Sequence, residues 1–418
     1  VNVVNLTDPA LMQDPFGGFA RIREEGPMVR GSYPGGGPPM WLVTRYEDVR
    51  SVLSDTRFVN NPASVPGMEV DNIREQLMAA RGIDQDVVPY LLDSILDVDN
   101  ADHLRLRRLI SREFTARRVI DLRPRMAEIT ESLLDLLDNE TDLIENFAYP
   151  LPITVICELV GVPEQDRPAW REQGEALMTH TPGAVNAPWR GMIELSRDLI
   201  ERRRANPGND LLSALIRTHD EDGDRLSDRE LITMIITLIL AGHETTTHLI
   251  GNGTLALLTH PDQLDLVKKD PGLWSRAIPE LMRWCGPVHG AQMRYAAEDV
   301  EIDGQTIKKG EGVIPVLVSA NHDPRRFDDP ERLDVTREQD SRREVHVGFG
   351  HGPHYCLGAA LARNEVEIAF NALFRRFPGL ALAGEPERQY VPWAWRLAKL
   401  PVRLSDYVSS DIARAWRG

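Results

Sequence analysis

Cys356 lies in Phe349-Gly350-His351-Gly352-Pro353-His354-Tyr355-Cys356-Leu357-Gly358, directly before the helical run Ala359 to Phe374. A thiolate facing loop amides at a helix amino terminus is stabilised as an anion and suited to ligating a metal. Glycines at 350, 352 and 358 let backbone approach a flat macrocycle. The bland alternative, a buried structural cysteine in a tight turn, accounts for one residue and not for the whole pattern. Far away in sequence, Ala241-Gly242-His243-Glu244-Thr245-Thr246-Thr247 sets an acid beside an alcohol in the middle of an apolar helix. Such a pair can relay protons in a dry pocket. Thr246 and Thr247 read instead as hydroxyls that bend a core helix. Glu280 and Arg283, three apart, share a helix face, an arrangement that on a surface is worth little. His103 and Arg107, four apart, can both address one anionic group.

Two zinc readings compete. His243-Glu244 with His248 superficially matches a zinc-protease helix, but five residues rotate the second imidazole roughly 140° away from the first, where chelation needs a spacing of four. His346, His351, His354 and Cys356 could supply nitrogen and sulfur to a closed zinc site.

The segment Phe349 to Gly358 resembles the haem-binding signature of the cytochrome P450 family. Three further matches follow in the family's order, so the resemblance covers about Pro9 to Leu404. It implies a mainly helical fold with a minor β portion, a triangular prism built on one long central helix, as a single domain over residues 1–418. It implies haem b (iron protoporphyrin IX) ligated by Cys356, cradled by Phe349, Gly350 and Gly358, with Ala241 over the macrocycle. Glu244 and Thr245 would supply protons for dioxygen activation, which thiolate donation from the opposite side favours. His103, Arg107, Arg294 and His354 would contact the haem propionates. Glu280, Arg283 and Arg332 would form a buried ion network holding the cysteine loop. Pro279, just before the Glu280-Leu281-Met282-Arg283 motif, departs from the family pattern and predicts a late helix start or a kink.

By position in the resemblance, the substrate pocket draws on residues 64–96, 178–189, 288–292 and 391–395 together with Leu238 and Ala241. Val288, Gln292, Trp393 and Trp395 are the side chains singled out, with either tryptophan equally readable as core. The implied activity is insertion of one oxygen atom from O2 into a hydrophobic small molecule by hydroxylation or epoxidation. A macrolide, another polyketide or a different secondary metabolite is the expected substrate class. Electrons would come from NAD(P)H through ferredoxin reductase and ferredoxin. Arg105, Arg108, Arg112, Arg117 and Arg118 form a local basic cluster that is either solvated helix charge or a dock for an acidic ferredoxin. A peroxide-driven haem-thiolate enzyme, or a haem-based ligand sensor, is the alternative that the acid–alcohol pair opposes.

The elements that must position these groups can be read from pattern. Ser227-Asp228-Arg229-Glu230 forms a capping box, and the helix it starts persists to about Thr259, roughly 45 to 50 Å at 1.5 Å per residue. Gly242 and the three threonines are poor helix interior, so local distortion is expected there. Strand candidates occur at Met40 to Thr44, Tyr295 to Ile302 and Gly312 to Val318, with Asp303-Gly304 as a hairpin turn. Hydrophobic residues make up 42% of the chain and charged residues 27%, the balance of a globular protein. With 48 Lys plus Arg against 64 Asp plus Glu, the net charge of −16 opposes a nucleic-acid partner. No apolar run reaches the roughly 20 residues a membrane helix needs, and no secretory leader is seen. A cytoplasmic monomer without membrane anchor is the resulting expectation, and Cys157, Cys285 and Cys356 are too few for a disulfide framework.

Overall fold

Ser227 starts the helix around which everything else is arranged. Its side chain accepts the Glu230 amide while the Glu230 carboxylate accepts the Ser227 amide, closing the expected capping box. The central helix then runs Asp228–Thr259, 32 residues, about 48 Å at 1.5 Å per residue. It passes through Ala241–Thr247 without a break, and two hydroxyls bond back along their own helix: Thr245 Oγ1 donates to the Ala241 carbonyl at 2.8 Å and Thr246 Oγ1 to that of Gly242 at 3.2 Å. The protein is described here from a computed structural model covering residues 3–34, 36–177, 182–218, 223, 225–338 and 344–404.

Around the central helix pack Pro150–Val160, Asn186–Ala205, Trp274–Cys285 and Ala359–Arg376, and Ala116–Asp135 packs on the last of these. Most of their buried apolar side chains join one large core. The minor β portion is dominated by a six-stranded sheet in the order Val3–Asn5, Met28–Tyr33, Gly36–Val43, Gly312–Pro315, Arg294–Ala296, Phe58–Val59. The predicted strand at Met40–Thr44 is the end of the third of these. The predicted strand over 312–318 is shorter than expected: it stops at Pro315 and the chain enters a short helix, Leu317–Asn321. Asp303 and Gly304 both take positive φ, 47° and 77°, the turn that joins Val300–Ile302 to Gln305–Ile307. A second hairpin, Glu387–Val391 with Ala394–Lys399, lies against the central helix through its second strand.

Pro279 does not delay the start of its helix. The helix runs Trp274–Cys285 with Pro279 inside it. Proline there forfeits one backbone bond, which the burial of Trp274, Ala277, Ile278 and Leu281 on the same helix outweighs. Among the described residues no helix is long and apolar enough to cross a membrane.

Candidate active site

Cys356 lies two residues before the N-cap glycine of helix Ala359–Arg376. Its amide donates to the Phe349 carbonyl at 2.9 Å, closing the loop on itself. Gly352, at φ 73°, passes so close to another segment that a Cβ there would meet the Leu53 carbonyl oxygen at 2.5 Å. Gly350 is also left-handed, at φ 76°. A Cβ on Gly358 would stand 3.9 Å from the Cys356 sulfur. Burial pushes the Cys356 thiol up, while the Gly358 amide and the charges of Arg107 and Arg363 pull it down. Burial wins, so the thiol stands above its ordinary value; a metal ion bound at the sulfur would deprotonate it.

The four predicted propionate contacts converge although they come from three separate segments: helix Asn100–Glu113 carries His103 and Arg107, strand Arg294–Ala296 carries Arg294, and the loop before Cys356 carries His354. The rings of His103 and His354 lie 3.9 Å apart. Arg294 reaches the same cluster, where burial, then His103, Arg294 and Arg107, push His354 down to about 3. Arg294 spends one nitrogen on the carbonyls of Val52 and Leu53, at 2.8 and 2.9 Å, and its Nε has no partner. His103 Nε2 is likewise buried and unsatisfied. Buried polar donors without acceptors are costly, and two carboxylates at this place would satisfy them. The residues present therefore fit a group with a flat body near Cys356 and paired anionic arms near His103, Arg107, Arg294 and His354.

On the central helix, Ala241 and Thr245 are exposed whereas His243, Thr246, Thr247 and His248 are buried. One turn separates the two exposed residues, so they share one stripe of the helix. Glu244 points elsewhere. Its carboxylate is held by both terminal nitrogens of Arg396, at 3.2 and 3.1 Å, with both side chains about one-fifth exposed. No local sequence signal marks Arg396, which is far from Glu244 in sequence.

The ion network needs one correction. Glu280 and Arg283 make two 2.8 Å bonds and are essentially inaccessible to solvent. The third member is Arg337, whose Nε donates to Glu280 at 3.1 Å. Arg332 turns its side chain outward to Asp329 and Asp334 and contributes only its carbonyl. The network holds backbone as well: Arg283 donates to the carbonyls of Asn321 and Pro330, and Glu280 accepts the Asp334 amide.

Of the pocket candidates, Leu238 is partly exposed on the same helix as Ala241. Val288 forms a bridge with Ala394, which joins residues 288–292 to the hairpin. Gln292 is spent on Asp97, donating at 2.6 Å. Both tryptophans are half-buried and packed against the amino-terminal helix. Trp393 stacks on Phe19 at 5.6 Å and donates to the Tyr33 hydroxyl at 2.6 Å. Trp395 packs edge-on to Phe16 at 4.7 Å with Arg388 over its face. Residues 178–181, part of the predicted pocket, and the segment after Leu404 lie outside the described residues.

The second zinc reading fails on its side chains. His346 lies 2.9 Å from Glu344, accepts the Gly348 amide, and is buried. His354 stacks on His103, and His351 lies beside Arg50. Among the described residues no three His, Cys, Asp or Glu side chains gather at metal-binding distance. The basic cluster is partly neutralised: Arg105 pairs with Glu230, Arg117 with Asp121 and Arg118 with Glu113.

This geometry has close relatives. The cytochrome P450 family model matches residues 184–270 and 273–400. Cytochrome P450 107B1 of Saccharopolyspora erythraea is 44% identical over 95% of this chain and 96% of its own. The 6-deoxyerythronolide B hydroxylase of the same organism is 41% identical over 96% and 99%. Among solved structures, tirandamycin C-bound P450 monooxygenase TamI superposes with a TM-score of 0.85 at 40% identity, covering 95% and 99% of the two chains. The chain therefore belongs to the cytochrome P450 family of haem-dependent monooxygenases, which draw electrons from redox partners.

Proposed function

We propose that the protein hydroxylates or epoxidises a polyketide or related secondary metabolite, using haem b ligated by Cys356 and electrons from NAD(P)H passed through ferredoxin reductase and ferredoxin. The observation that carries this reading is the convergence of Cys356 with two arginines, Arg107 and Arg294, and two imidazoles, His103 and His354, of which Arg294 and His103 keep buried, unpaired nitrogens. Haem bound there supplies one-electron and dioxygen chemistry. The chain does the rest. Phe349, Gly350 and Gly358 shape the loop that presents the sulfur. Ala241, a small residue, leaves room on the opposite side for substrate. Thr245 presents a hydroxyl there that can pass protons, and Glu244 is the nearby acid from which they come.

Relatives support the substrate class. They include the polyketide biosynthesis P450 PksS of Bacillus subtilis and the mycinamicin IV hydroxylase/epoxidase of Micromonospora griseorubida. Ferredoxin, an acidic partner, would approach the arginines at 105, 108, 112, 117 and 118; the partner protein would share the cytoplasm. Glu280, Arg283 and Arg337 act on structure.

The test is a titration of the purified ferric protein with polyketides, steroids and cyclic peptides, read by absorption. A low-spin to high-spin shift confined to polyketides is expected. A shift given only by steroids or cyclic peptides would replace the substrate class while leaving the monooxygenase reading in place.

A further inference from the structure

We propose that Arg396 is a positioning residue of the proton relay: through it, the hairpin on which it lies fixes where the Glu244 carboxylate stands. The inference rests on the reading of Glu244 and Thr245 given above. Adjacent residues on a helix point about 100° apart, so Glu244 and Thr245 cannot both face the stripe that Ala241 and Thr245 share. Glu244 is turned to the neighbouring strand, where the guanidinium grips both of its oxygens at 3.1 and 3.2 Å. Paired nitrogens against paired oxygens fix direction as well as distance. The hydroxyl of Thr245 is meanwhile turned back on the Ala241 carbonyl. The resting arrangement thus keeps acid and alcohol apart, and the position of Arg396 decides how far the acid must travel to serve the alcohol.

Arg396 is itself held by the strand Ala394–Lys399, paired with Glu387–Val391. Three contacts tie that hairpin to the segment after helix Trp274–Cys285. The Trp395 amide donates to the Pro287 carbonyl at 2.9 Å, the His289 amide to the Trp393 carbonyl at 2.9 Å, and Val288 bridges Ala394. On the other side the Asn252 amide group, from the central helix, donates to the Trp395 carbonyl at 3.0 Å. A substrate pressing on Val288 or on the hairpin tip therefore acts on the strand that carries Arg396. The ion pair links occupancy of the pocket to the placement of the acid.

The experiment is a double-mutant cycle on the reconstituted holoenzyme with Arg396→Gln, Glu244→Gln and the pair, with Arg396→Lys as the conservative variant. Three readouts are taken: product formed per NAD(P)H consumed, the substrate-induced spin shift, and the urea midpoint of unfolding. Arg396→Gln is expected to keep the spin shift and lose several-fold in product per reductant, with Arg396→Lys in between. In the Glu244→Gln background the same substitution is expected to change the ratio less than twofold, because a residue acting through another has nothing left to act on. The unfolding midpoints are likewise expected to be non-additive. An equal loss in both backgrounds would overturn the inference, since it would make Arg396 a support of the hairpin alone. If Glu244→Gln lowers the ratio but Arg396→Gln does not, the inference falls and the relay reading stands. If neither Glu244→Gln nor Thr245→Ala lowers the ratio, the relay reading falls and takes the inference with it.

Discussion

Two arginine–carboxylate pairs, Glu280–Arg283 and Glu244–Arg396, are both two-pronged but differ in grip and surroundings: Arg283 binds through Nε and one terminal nitrogen at 2.8 Å, Arg396 through both terminal nitrogens at 3.1 and 3.2 Å. The first is at most 1% exposed, and every remaining donor or acceptor direction is taken by carbonyls, an amide and Arg337. The second is about one-fifth exposed and stands beside an accessible helix stripe. A buried pair that is broken leaves an uncompensated charge, whereas a half-solvated pair can open and close at modest cost. The first pair is placed to hold loops together and the second to move.

The sharpest way to break this contrast is Glu280→Gln. It should cost about 3–5 kcal/mol, read as loss of folded holoprotein on expression or as a large fall in Tm; a cost under about 1 kcal/mol would remove the distinction. Glu344 provides an intermediate case. Burial raises its pKa, but His346 and Arg363 overcome this and hold the carboxyl down at about 2, against an ordinary 4.5. A depressed acid stabilises the fold fully above its unfolded value and loses that stabilisation as pH falls towards its folded value. The advantage of wild type over Glu344→Gln in urea unfolding should therefore be on the order of 2–3 kcal/mol at pH 7 and should fade below 4.5. An advantage that is flat with pH would contradict the pairing.

Arg337→Ala and Arg332→Ala test the corrected network directly. The former leaves part of the Glu280 carboxylate unpaired and should cost about 1–3 kcal/mol; the latter removes exposed pairs and should stay within about 0.5 kcal/mol. The reverse ranking would restore Arg332. Glu244→Gln should also cost little in stability, about 1 kcal/mol or less, yet product formed per reductant should fall markedly, the reverse of the pattern at Glu280. Thr245→Ala should likewise keep its haem and divert electrons to peroxide, seen as hydrogen peroxide released per NAD(P)H.

What could be read from the sequence follows from how local each signal is. The capping box at Ser227 and Glu230, the loop ending at Cys356 and the turn at Asp303-Gly304 are each complete within a few residues, and each is found where expected. Long-range pairing is where the reading thins. Arg332 and Arg337 lie one helical turn or so apart in number, and nothing local says which one faces Glu280; the irregular chain between them decides it. Arg396 is invisible beside Glu244 because their contact spans a strand and a helix distant in sequence. Trp393 and Trp395 follow each other at strand spacing, but the partners that claim them, Phe19 and Phe16, come from the amino-terminal helix Pro15–Glu25. Pro279 shows propensity yielding to burial.

The most direct test of the thiolate assignment compares the absorption spectrum of the reduced, carbon monoxide-treated protein with that of Cys356→Ser. The wild type should show the red-shifted Soret band of thiolate-ligated haem and the variant should lack it. A variant that keeps the band would place the ligand elsewhere and contradict the role given to Cys356.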